Sequence, residues 1–148
     1  MPPTIGHLFP DEERKAFAKR SVQSGTVLRF HRSDTSPPKI KRLIVLGVVK
    51  DGDSQHQIVG YVYINSNPNP RANDMFLRAE GRTYLEHDSY VGLIDIYEDS
   101  FDSFVSSITR EPACVIGKLS SSDMAYLSKA IQDSRTIPKK MKIKFGFL

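Results

Sequence analysis

The chain has 148 residues, of which 39% are hydrophobic and 26% charged. That suffices for one domain with a modest core and excludes an intrinsically disordered chain. A formal net charge of +4 and a sequence pI of about 9.2 permit a phosphate-rich partner without requiring one.

The first predicted element is a helix. Pro10 and the acids Asp11, Glu12 and Glu13 open it, bases close it and Gly25 follows. Phe9, Ala16, Phe17 and Arg20 fall near one face, a thin stripe that suits a helix lying on the body or touching a partner. TVLRFHR (Thr26 to Arg32) alternates as a strand, with Val27, Arg29 and His31 on one side and Leu28 and Phe30 on the other. SDTSPPKIK is a cationic loop broken by Pro37 and Pro38. RLIVLGVVK (Arg42 to Lys50) is a continuous apolar strand, DGDSQ a hairpin turn, and HQIVGYVYIN (His56 to Asn65) the returning strand. SNPNPRAND, with Pro68 and Pro70, excludes regular structure. A short strand near MFLRAE, a turn at GR and then YLEHDSYVGLIDIY follow. Ser120 and Asp123 form a variant capping box, and Met124, Leu127, Ala130 and Ile131 share one face of the helix behind it. The closing KKMKIKFGFL alternates Met141, Ile143 and Phe145 against Lys140, Lys142 and Lys144. It reads as an edge strand guarded by lysines, or a tail that pairs with another chain. The order of elements implies an α+β chain, mainly β: a small, strongly curved antiparallel sheet or barrel with flanking helices.

The single cysteine, Cys114 in EPACVIG, allows no intramolecular disulfide and no Cys/His zinc spacing; its apolar neighbours suit a buried thiol. No apolar run is long enough for a membrane helix, and MPPTIGHLFPDEERKAF lacks a signal-peptide pattern, so no membrane partner is expected and the expected compartment is the cytoplasm.

LEHDSYV crowds Glu86, His87, Asp88 and Ser89 together. Neighbours on an extended segment point to opposite faces, so these residues cannot assemble a Ser-His-Asp triad among themselves. The cluster reads as the start of a strand, with His87 at most a surface contact.

Three stretches in order resemble the MazF/PemK (Kid) toxin superfamily. GTVLRF…KIKRLIVLGVV is similar to its glycine-led strand, basic loop and arginine-led apolar strand, with Gly25 and Arg42 in those places. VGYVYINS resembles the central strand that ends in polar residues, and YLEHDSYV the strand with an acid-Ser pair. IGKLSSSDMAYLSKAIQDS then looks like the closing element and its helix. The likeness runs from Gly25 to Ile137. It divides the chain into an N-terminal helical extension (1–24), an SH3-like, MazF/PemK-type barrel with a C-terminal helix (25–137) and a lysine-rich strand or tail (138–148).

The resemblance implies a metal-independent, cofactor-free endoribonuclease that cleaves single-stranded mRNA through the ribose 2′-OH. It further implies a bacterial or phage toxin-antitoxin or defence locus, a homodimer, and an acidic antitoxin protein as partner. Arg42 matches the family's arginine; taken alone it also suits a solvated cation beside Lys39 and Lys41. Asn65 falls where the family has threonine or serine, and Ser66 one place further; NSNPNP alone is equally a turn. His31 is the histidine nearest the basic loop, either a proton acceptor or an ordinary exposed strand residue. Arg29, Arg32, Lys39, Lys41 and Arg71 are the candidate phosphate contacts, and Tyr63, alongside Tyr61, a candidate stacking surface. Because Asn65 cannot act as a general base, the alternative is a catalytically inactive module that binds RNA or a protein.

Overall fold

The computed structural model describes residues 10–32 and 39–148, without the side chains of Pro10, Arg32 and Lys39. The expected contributions of Phe9, of the loop at 33–38 and of the Arg32 and Lys39 side chains therefore lie outside the described residues. In chain order the elements are α1 (Pro10–Ser21), β1 (Thr26–Arg32), β2 (Lys39–Lys50), β3 (Gln57–Asn65), β4 (Met75–Leu77), β5 (Ser89–Val91), β6 (Tyr97–Ser100), α2 (Phe101–Arg110), a 3-10 turn (Pro112–Cys114), β7 (Val115–Lys118), α3 (Ser121–Asp133) and α4 (Lys139–Lys144). The fold is mainly β: a curled antiparallel half-barrel decorated by helices. The strand order is β4-β5-β3-β2-β1-β7, and β6 pairs with the other half of β3 beside β5.

The apolar run of β2 has a simple cause. Helices cover both faces of the sheet, so every residue in the middle of this strand is buried. Val27, Ile44, Leu46, Val62 and Ile64 join Leu127 and Ile131 of α3, and Phe145 and Phe147 after α4, in one core. Leu28, Leu43, Val45 and Val59 meet Ala18 and Val22 near α1 and Phe104, Val105 and Ile108 of α2 in the other. Each fully buried side chain of this size contributes roughly 1.5–3 kcal/mol, so the two layers outweigh any strand propensity. The β2–β3 register passes from Val45↔Tyr61 to Gly47↔Gly60, leaving Leu46 unpaired in a bulge that tightens the twist. Opposite that irregularity Gly60 makes room for the Phe145 ring, which would lie 2.5 Å from a Cβ at this position.

Three features differ from the sequence expectations. Phe101–Arg110 forms α2 in a stretch to which the sequence reading assigns no element; Ser100 caps it, accepting from the Ser103 amide at 3.0 Å. The lysine-rich end is helix α4 rather than an edge strand. Its alternation is overridden because Lys142 turns inward and donates to the carbonyls of Gln132 (2.8 Å) and Ser134 (2.6 Å) at the end of α3. In α1 the buried alanine is Ala18, whereas Ala16 is exposed. The capping box at α3 forms by half. Ser120 accepts from the Asp123 amide at 3.1 Å, but the Asp123 carboxylate turns to Arg82, which holds it by two bonds of 2.9 and 2.8 Å.

Cys114 is buried, and that burial pushes its thiol up to about 11, far from a reactive thiolate at neutral pH. Among the described residues no helix is long and apolar enough to cross a membrane.

Candidate functional site

At one end of the sheet the start of β2, the end of β3 and the approach to β5 come together. Arg42 pairs with Ile64 across the β2–β3 ladder, and Ile64 and Asn65 pair with Val91 and Tyr90 of β5. This register places His87, just before β5, beside Ser66, just after β3. The result is a cleft of about 430 Å³ whose lining includes Lys41, Arg42, Asn65, Ser66 and His87.

The chemistry of the cleft turns on His87. Its Nδ1 lies 2.9 Å from the Asp88 carbonyl oxygen. A carbonyl only accepts, so Nδ1 carries the proton and, in the neutral ring, Nε2 keeps its lone pair. Nε2 faces the Ser66 hydroxyl at 3.4 Å, a long bond that a better donor can replace. Ser89 supports the loop: its hydroxyl donates to the His87 carbonyl at 2.8 Å. Asp88 accepts from the Ala79 amide at 2.8 Å, which fixes the turn ahead of β5. Asp88 and Ser89 are thus architectural, as the sequence suggests. His87 is not exhausted by that role, because its Nε2 meets a hydroxyl from a different strand.

Arg42 lines the same cleft and pairs with Glu86 at 3.1 Å. The two partners differ greatly in exposure, 19% for the Arg42 side chain and 72% for Glu86. An ion pair with one end in solvent contributes at most about 1 kcal/mol, so Glu86 is a displaceable counterion. The Arg42 Nε is buried without a hydrogen-bond partner. Asn65 packs its amide nitrogen beside Gly92, 3.0 Å from where a Cβ would stand.

The remaining candidates are distributed more widely. Arg29 is half-buried and opposes Arg42 across β1–β2. Tyr63 pairs with Leu43, and both belong to the core opposite the cleft. Its ring packs against Tyr61 (5.5 Å between centroids) and Tyr97 (5.1 Å), with Lys41 Nζ 5.6 Å from its centre. His31 lines a different groove, about 270 Å³, between the sheet and α2, together with Phe30, Tyr61 and Arg110. Arg71 is exposed in the β3–β4 connection and does not line the cleft. The lining of the cleft therefore gathers Arg42, Asn65, Ser66 and Lys41 from the expected set and adds His87, with Glu86 paired to Arg42; Arg29, Tyr63, His31 and Arg71 are not part of the lining.

Among the described residues no three His, Cys, Asp or Glu side chains converge as a metal site. Comparisons with protein-family models, with curated proteins and with solved structures find no match to this chain.

Proposed function

We propose that the chain is a metal-independent endoribonuclease acting on single-stranded RNA, a divergent MazF/PemK-like toxin. One observation carries the reading: a cleft that combines a guanidinium, a hydroxyl and a histidine whose acceptor nitrogen faces inward. In this reaction His87 Nε2 takes the proton of the ribose 2′-OH as O2′ bonds to phosphorus. Arg42 exchanges Glu86 for the phosphate oxygens and stabilises the charge that grows on them. Ser66 releases Nε2 and donates to the substrate instead. The P–O5′ bond breaks, water protonates the leaving oxygen, the imidazolium of His87 returns its proton to the hydroxide so formed, and the products are a 2′,3′-cyclic phosphate and a 5′-hydroxyl. No step needs a metal or cofactor. By the same resemblance the protein works as a homodimer in the cytoplasm of a bacterial host, restrained by an acidic antitoxin segment that folds on binding.

A second reading rests on the Arg42–Glu86 pair and on Asn65 in place of a hydroxyl residue. In it the cleft binds RNA or a protein without cutting. Incubating the purified protein with mixed-sequence single-stranded RNA in excess chelator separates the two. The enzyme yields fragments with cyclic-phosphate ends. Arg42→Ala is expected to slow cleavage by about 10²–10³, and His87→Ala by about 10²–10⁴, both with an unchanged circular dichroism spectrum. Absence of cleavage across varied RNAs leaves the binding module.

A further inference from the structure

Arg29 and Arg42 stand directly opposite each other in the β1–β2 register. Two residues away Val27 opposes Ile44, and both lie in the core on the cleft side of the sheet. Strand alternation therefore brings both arginines to that same face. Opposed residues have Cβ atoms about 4.5–5.5 Å apart, a distance at which like charges repel. Arg42 has Glu86 as counterion. Among the described residues Arg29 has no ion pair, and the Nε of each arginine is buried without a hydrogen-bond partner. Two cations opposed across the ladder, with one exposed carboxylate paired to Arg42 alone, form a site short of negative charge.

We propose that Arg29 and Arg42 form a two-guanidinium clamp for a phosphate group, with the phosphate taking the place of Glu86. Each guanidinium presents paired donors, and two of them require more acceptor oxygens than one carboxylate supplies; a phosphate supplies them. Ser66, on the cleft wall beside Arg42, adds a neutral donor. Arg29 is in this view a positioning residue that fixes the phosphate against Arg42. That the phosphate belongs to a single-stranded RNA rests on the ribonuclease reading; the clamp itself does not.

The test uses the full chain and two probes: inorganic phosphate followed by 31P NMR, and a short 2′-O-methyl oligoribonucleotide, which cannot be cleaved, followed by fluorescence anisotropy at several salt concentrations. Arg29→Gln is expected to weaken oligonucleotide binding roughly tenfold. It is also expected to flatten the slope of log K against log salt by about 0.7. Arg29→Lys, which keeps the charge and loses the fork, falls between. Glu86→Gln tightens binding about two- to fivefold. If phosphate binds, weakens in Arg29→Gln and the oligonucleotide does not bind, the clamp stands and the ribonuclease reading falls. If folded Arg29→Gln and Arg29→Lys hold both probes as tightly as the parent, the clamp is overturned, whether or not the parent cleaves RNA. Should Arg29→Gln fail to fold, Arg29→Lys decides: parent-like affinity and salt slope overturn the clamp.

Discussion

At the scale of single residues, Asp123 is a firmly anchored charge outside the cleft. Arg82 holds its carboxylate by two hydrogen bonds, and that contact keeps it below its ordinary value of 3.8 against the opposing effect of burial. A carboxyl depressed by folding stabilises the native state above its unfolded value, and the contribution is lost as pH falls through the native one. Asp123→Asn is therefore expected to cost about 1 kcal/mol at neutral pH. The difference from the parent should begin to shrink below pH 3.8 and vanish only below the lowered native value, as read by urea denaturation at a series of pH values. A constant difference across the range would contradict the assignment. The same scale shows where sequence reading stops. Arg42 and Ser66 share the cleft because one stands near the start of β2 and the other just after β3. The place of His87 is not legible in the sequence, since its partner Ser66 lies 21 residues earlier and only the β3–β5 pairing brings them together.

At the scale of elements, α2 carried a readable signal: Ser100 at the cap, Asp102 in the first turn and Phe101, Phe104, Val105 and Ile108 at helical spacing. It was masked by the strand-like YVGLIDIY just ahead of it. The end of the chain was misleading for a different reason. Lysine alternating with apolar residues has a period of two, yet one of those lysines is buried, and no pattern rule anticipates a buried lysine. Lys142 is 7% exposed and bonds to two carbonyls at the end of α3. Lys142→Met retains most of the stem and abandons both carbonyls, so a loss of about 1–3 kcal/mol is expected in equilibrium denaturation. Lys140→Met, at an exposed position, is the control that should leave stability within about 0.5 kcal/mol.

At the scale of the whole molecule, the curled antiparallel sheet was legible because β1, β2 and β3 are long, apolar and separated by clear turn residues. The double cover was less so, since one of its layers depends on α2. The two halves of the chain lock at Gly60, where the Phe145 ring occupies the space of a side chain. Gly60→Val is expected to destabilise the fold by about 1–3 kcal/mol through overpacking. Pairing it with Phe145→Leu should recover part of that loss, and a strictly additive double variant would show that the two positions do not share the space.

That lock also bears on synthesis. Phe145 and Phe147 fill a face of the half-barrel that β1 to β3 line much earlier in the chain. Until those two rings arrive, that face of the sheet is an open apolar surface, so packing of the half-barrel is completed only when this late segment joins it.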